Sequence, residues 1–213
     1  QAVFIVDWYN ATGQTLDADC YFPPVEAVGS YSPLQIVASG PDSQWAAIRR
    51  LYFFMIVSAQ REVYLQSPFF VLDETIAEAL KAAAMAGVNV NVMIAADNYP
   101  NWAADWAANT YAYSLCRSGV CVHLYHGGYL HAKTLSIDGE ICSVGSANMD
   151  IRSFSINYEL NAVCYDPHIA RQLQADYHRN LEQCIEFSWR AYEKRSVPFR
   201  LRDSLARLLS PLQ

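Results

Sequence analysis

Apolar positions in this chain switch repeatedly between a period of two and a period near 3.6, which predicts strands alternating with helices. Residues 34–39 (LQIVAS) and 61–67 (REVYLQS) read as strands, the second ending at Pro68. Between them, Asp42 and Ser43 offer an N-cap for a helix running to Ser58. Asp73 caps an alanine-rich helix that stops at Gly87, where a left-handed terminator is expected. Residues 88–96 (VNVNVMIAA) form a strand, a loop spans 97–101, and a further helix runs to Gly119. VCVHLYH (120–126) leads into two strands with apolar positions at Leu130, Ala132, Leu135 and Ile137, then at Ile141 and Val144. The Asp138-Gly139 pair between them is a hairpin turn dipeptide. Residues 157–165 give another strand, and Pro167, permitted at a first helical position, opens a long helix to about Trp189.

Strand–helix alternation implies right-handed crossovers and an α/β fold: a mixed, mostly parallel sheet flanked by helices on both faces. Three regions are expected. Residues 1–33, with Gly13, Pro23-Pro24, Gly29 and no sustained period, form an irregular connector. Residues 34–190 form the main α/β domain, and 191–213 a basic amphipathic segment. That last segment holds Arg195, Arg200, Arg202 and Arg207 among Phe199, Leu201, Leu205 and Leu208. It suits either an anionic membrane surface or a terminal helix docked on its own domain. The chain starts at Gln1 without Met and reads as a fragment; no run of 18 or more apolar residues is present.

At 213 residues and 53% hydrophobic content the chain can bury a substantial core. A net charge of -6 disfavours a nucleic-acid partner, since such binding draws on many Lys and Arg contacts to phosphates. The six cysteines show no zinc-type spacing and read as buried thiols in a reducing compartment.

Most polar chemistry falls between Tyr129 and Asn161. His131 and Lys133, two apart on a predicted strand, share a face. An imidazole and an ammonium projecting together suit an anionic oxygen centre such as phosphate. Displacement at a phosphodiester needs an attacking group on one side of phosphorus and a proton donor on the other, and one imidazole cannot serve both. A second histidine is therefore required. The scheme needs no metal and no cofactor. Asp138, at the turn, serves either the hairpin or catalysis; Ser146 serves either the site or its turn. His123, His126, His168 and His178 get bland readings, except that His126 can line an entrance.

The pattern H-x-K-x4-D-x6-G-S-x-N, here His131, Lys133, Asp138, Gly145, Ser146 and Asn148, resembles the signature of the phospholipase D superfamily. The continuation GSANMDIRSFSINYELNA (145–162) is similar to the second of two signature motifs in bacterial cardiolipin synthases, as are ASGPDSQW (38–45), SPFF (67–70) and SLARLLSP (204–211). The resemblance implies a phospholipase D-like fold with two pseudo-symmetric halves facing one phosphate. The second half comes from the same chain, or from a second copy as in the superfamily's homodimeric phosphodiesterases and nucleases. It further implies that His131 is either the nucleophile that forms a phosphohistidine or the general acid and base. Lys133, Ser146 and Asn148 would bind phosphate, and Glu159 would accept a bond from the His131 ring. The implied substrate is an anionic phospholipid, phosphatidylglycerol, with two molecules yielding cardiolipin and glycerol. The implied place is the bacterial cytoplasmic membrane.

Overall fold

In a computed structural model, residues 1–24, 29, 31–96 and 102–209 are described; the loop expected at 97–101 lies outside them. The chain divides into two units, Gln1–Ser32 and Pro33–Gln213.

The first unit is less irregular than its sequence suggests. Ala2–Thr12 forms helix α1, ended by Gly13 at φ 71, a left-handed turn that glycine adopts without steric cost. A short 3-10 turn follows at Asp19–Tyr21. None of the α1 side chains is buried, so its apolar residues have no stripe to form. That is why periodicity misses the helix, which gains a Phe4–Trp8 ring stack one turn apart.

In the second unit, the strand-forming runs pair into a sheet of order β1-β9-β7-β6-β2-β4-β5-β10. The strands are β1 (Leu34–Ser39), β2 (Glu62–Ser67), β4 (Asn89–Ala95), β5 (Cys121–Tyr125), β6 (Thr134–Ile137), β7 (Ile141–Gly145), β9 (Glu159–Cys164) and β10 (Cys184–Glu186). The two-residue strands β3 (Phe70–Val71) and β8 (Met149–Asp150) pair separately, in parallel. Helices are α2 (Ala47–Ser58), α3 (Glu74–Met85), α4 (Trp102–Cys116), α5 (Ile151–Ser155), α6 (Pro167–Leu181), α7 (Trp189–Glu193) and α8 (Val197–Leu209).

The sheet is mixed and flanked by helices, as expected, but its parallel share is smaller. Only β2–β4 and β4–β5 are parallel. The β6–β7 hairpin, the return of β9 beside β7 and the edge strands β1 and β10 all pair antiparallel. Of the strands joined by a helix, only β2–α3–β4 and β4–α4–β5 come to lie side by side, and those neighbours pair in parallel. Helix α2 starts at Ala47 after Ala46 at φ 43, not at the Asp42-Ser43 cap, because a turn from Gly40 O to Ser43 N occupies that stretch. The long helix expected to reach Trp189 ends at Leu181, since residues 184–186 complete the sheet edge against β5.

Alternate β2 residues feed opposite cores. Val63 and Leu65 pack with Tyr52, Ile56 and Leu80 from α2 and α3, while Tyr64 joins Met93 and Tyr177 beneath α6. Asp73 caps α3 by accepting from Thr75 N and Ile76 N. Asp138 fastens the far end of the sheet. In the β6–β7 turn at φ 53, it accepts backbone N–H bonds from Gln60, Arg61 and Glu62 at 2.8–3.0 Å.

Burial alone would raise the Asp138 pKa, but those three N–H donors and the Arg61 charge hold it below its ordinary 3.8. A depressed folded-state pKa contributes stability above the unfolded value, lost as pH falls through the folded value. Asp138→Ala is expected to cost about 1–3 kcal/mol in urea unfolding at pH 7. The difference from wild type should shrink once the pH drops below the ordinary 3.8.

Candidate phosphate site

Registers Gln66↔Thr134, Ser67↔Ile94, Ala95↔Tyr125, Gly145↔Asn161 and Ser39↔Glu159 put the ends of β1, β2, β4, β5 and β7 and the starts of β6 and β9 at one edge of the sheet. Every motif residue except Asp138 lies at that edge. His131 and Lys133 occupy the extended lead-in to β6, not the strand itself. The His131 ring is exposed and stacks on Tyr129 at 5.4 Å and 17°. Lys133 is buried at 7% exposure and donates Nζ to His131 O at 2.9 Å. Burial pushes its ammonium below the ordinary lysine value, and the charges of Glu159 and Asp150 pull it back up.

Glu159 does not meet the expectation set for it. Among the described residues it makes no hydrogen bond to His131; it accepts from the Ser146 hydroxyl and, at 3.3 Å, from Asn157 Nδ2. Glu159 opens β9 and His131 precedes β6, with β7 between those strands. Ser146 fills the interval, its Oγ also accepting from Leu160 N at 2.9 Å. Glu159 therefore orders the Ser146 turn and places negative charge near Lys133.

Asn148 follows that turn. Its backbone N–H donates to Ser153 Oγ at 3.1 Å, its amide reaches Asp150, and its Oδ1 is buried without a partner among the described residues. Sequence reasoning missed Asp150. It caps α5, accepting from Ser153 N at 2.7 Å. Burial raises its pKa against the Ser153 backbone and hydroxyl bonds; the Glu159 charge raises it further, and the Asn148 amide lowers it. The only sequence signal was D-x-x-S, an N-cap spacing before a very short helix. Gln66 was missed too. It is buried beside Thr134, to which Nε2 donates at 3.3 Å, and its Oε1 lacks a partner among the described residues.

Beneath the turn, Asn161 donates Nδ2 to Tyr52 Oη at 2.7 Å and to Ser143 Oγ at 3.0 Å, while its Oδ1 accepts from Ala147 N at 3.4 Å. Burial raises the Tyr52 hydroxyl to about 12, which keeps it a neutral partner. Gly145 lies against this amide, so a Cβ there would fall 2.2 Å from Asn161 Oδ1 and 2.5 Å from Leu160 O. Asp138 sits at the opposite end of β6, away from the cluster, in a structural role. His123 bonds Tyr177 Oη at 3.0 Å, His178 packs edge-on against Tyr64, and His126 bonds Gln183 O through its backbone.

An exposed imidazole beside a buried ammonium, a side-chain amide and a hydroxyl forms one side of a site for a tetrahedral anion. Residues 52–181 match the family described as "Cardiolipin synthase, PLD-like domain". Cardiolipin synthases from Clostridium perfringens and Listeria monocytogenes are each 41% identical to this chain over its whole length, matching 45% and 44% of their own. The chain thus spans less than half the length of these curated relatives. Among solved structures, the phospholipase D family member Nuc from Salmonella typhimurium superposes with TM-score 0.63 at 22% identity, covering 74% of this chain and 99% of that one. Phosphatidylserine synthase from Haemophilus influenzae gives 0.68 at 12%, covering 87% and 49%. These two likenesses concern the fold.

Backbone and a buried amide are the atoms that a Gly145 side chain would strike, and neither can swing aside. Gly145→Ala is expected to lower stability by about 2–3 kcal/mol, the cost of overpacking a rigid site, read as a fall in thermal midpoint.

Proposed function

Because the chain belongs to the cardiolipin synthase family with a phospholipase D-like domain, we propose that it is one catalytic half of a transphosphatidylase of bacterial membranes. The observation that carries this is the pairing of the exposed His131 ring with the buried Lys133, whose Nζ lies 2.9 Å from His131 O. Two phosphatidylglycerol molecules would give cardiolipin and glycerol.

In the first step a histidine of the other half attacks phosphorus of the donor lipid. A P–N bond forms, the P–O bond to glycerol breaks, and His131 as general acid protonates the departing oxygen. In the second, the terminal hydroxyl of another phosphatidylglycerol gives its proton to His131 and attacks the same phosphorus. The P–N bond breaks, cardiolipin leaves and both histidines are regenerated. Lys133 neutralises a non-bridging phosphate oxygen as a compact charge, aided by Asn148 and Ser146. Glu159 and Asp150 offset the ammonium while the phosphate is absent.

His131 stands here on one side of a phosphate, so the proposal requires a second H-x-K motif, from the same polypeptide or another copy. The test compares solution mass and phosphodiester hydrolysis by this chain with lipid transfer by a polypeptide that supplies the second motif. The chain alone should be an inactive monomer. The two-motif enzyme should make cardiolipin, with His131→Ala reducing the rate about 10³-fold or more and Lys133→Met about 10²-fold. A homodimer hydrolysing a simple phosphodiester through His131, without lipid transfer, would replace this reading with a phosphodiesterase or nuclease.

A further inference from the structure

Helix α8 has two faces of different character. One is docked: Asp203 is fully buried, accepts from Arg202 Nη2 at 2.7 Å and lies 3.7 Å from Arg195. Its neighbour Arg202 covers the Trp106 ring of α4 at 4.1 Å, and Ala206 packs into the core. At 100° per residue, the opposite face carries Val197, Leu201, Leu205 and Leu208, spaced i, i+4, i+8 and i+11. These are 73, 58, 52 and 75% exposed. A docked terminal helix accounts for the inner face and leaves the outer stripe unexplained, since a solvated outer face is ordinarily polar.

Beside the stripe, α4 and α8 bound a groove of about 1120 Å³ that gathers Arg117, Arg200 and Arg207 around Tyr111 and Tyr113. Arg207 stacks on Tyr111 at 4.3 Å, and Arg117 on Tyr113 at 5.9 Å. Among the described residues neither Arg117 nor Arg200 is ion-paired; Arg200 bonds only the Glu193 carbonyl, at 3.5 Å. The cationic character is local. Residues 190–209 hold six Lys and Arg against two acidic residues in a chain of net charge -6.

We propose that this outer face of α8, with the α4–α8 arginine groove, docks on an anionic phospholipid bilayer. The four apolar side chains enter the boundary between headgroups and acyl chains, and the guanidinium groups take lipid phosphates. Cations bordering an apolar helix stripe match a surface of phosphates over hydrocarbon, which selects a bilayer over an apolar protein partner. The docking rests on the reading of the enzyme as one that acts on phospholipid. It uses none of the residues around His131, so the two can fail separately.

The test is co-sedimentation of the 213-residue chain with vesicles of phosphatidylcholine, alone or mixed with phosphatidylglycerol. Binding is expected only to the mixed vesicles. Leu201→Ser/Leu205→Ser/Leu208→Ser should weaken it at least tenfold, and Arg117→Gln and Arg207→Gln about fivefold each. His131→Ala should bind as wild type does. Thermal unfolding should be unchanged in the leucine variant, whose replaced side chains lie on the surface. The inference is overturned if wild type ignores phosphatidylglycerol, if the leucine variant binds equally, or if His131→Ala loses binding. A wild-type dimer that the leucine variant dissociates would overturn it in favour of a second copy on the stripe. Absence of lipid transfer by the two-motif enzyme, with vesicle binding intact, would count against the synthase reading alone.

Discussion

The site edge depends on one buried amide. Asn161 lies in β9 with its side chain fully enclosed, and its hydrogen bonds tie α2 through Tyr52, β7 through Ser143 and the loop after β7 through Ala147. Leaving such a group unpaired in the interior would cost about 1–3 kcal/mol, so its three partners hold one another in place. It also dictates Gly145, because only a residue without Cβ passes so close to the amide. The G-S-x-N spacing follows from that contact. Once the chain has cleared Asn161, Ser146 turns back to Glu159 and Leu160, and Asn148 meets the start of α5.

Upon this scaffold the electrostatics are those of a site waiting for charge. Lys133 is buried with its ammonium on a carbonyl, while the charges of Glu159 and Asp150 act on it, with no ion pair to either among the described residues. A buried cation bound tightly to a carboxylate would have little left for an anion. Here the arrangement leaves Lys133 donor capacity. The exposed His131 ring shares the edge with these groups. Under the proposed two-half reading, these groups would form one side of a phosphate site.

The sequence was most readable where a single element explains its own pattern. β1 appeared with its observed bounds, Asp73 announced α3 through its two backbone bonds, and Asp138-Gly139 marked the hairpin. What stayed hidden depends on distant partners. β3 and β8 are two residues each, too short for any period, and exist because each pairs the other across the chain. β10 looked helical because apolar spacing cannot say that β5 lacks an edge partner. Asp138 read as a hairpin residue, but its work is to fasten the segment entering β2, some 77 positions earlier. The motif residues other than Asp138 come together at one edge of the sheet, but the motif does not show how they are bonded. That Glu159 accepts from the Ser146 hydroxyl follows from β9 pairing beside β7, a matter of strand order and not of local sequence.

Strand order also distinguishes two apolar surfaces that composition alone merges. Register places Ile36, Ala162 and Val144 in one row across β1, β9 and β7, with Leu34 and Leu160 on the same face. Ile36, Val144, Leu34 and Leu160 are exposed there, while α6 covers the neighbouring Cys142 and Cys164. This bare sheet face borders the edge that holds Ser146 and Glu159. The stripe on α8 stands instead over α4, beyond the β4–β5 side of the sheet. A second half that completes a phosphate site must approach the motif edge, and the bare face of β1, β9 and β7 is the apolar surface adjoining it. Among the described residues that surface carries no cluster of arginines, whereas the α8 stripe borders one. Under the two proposals the same hydrophobic driving force would serve two different ends, a protein contact beside the chemistry and a lipid contact away from it, with charge separating them.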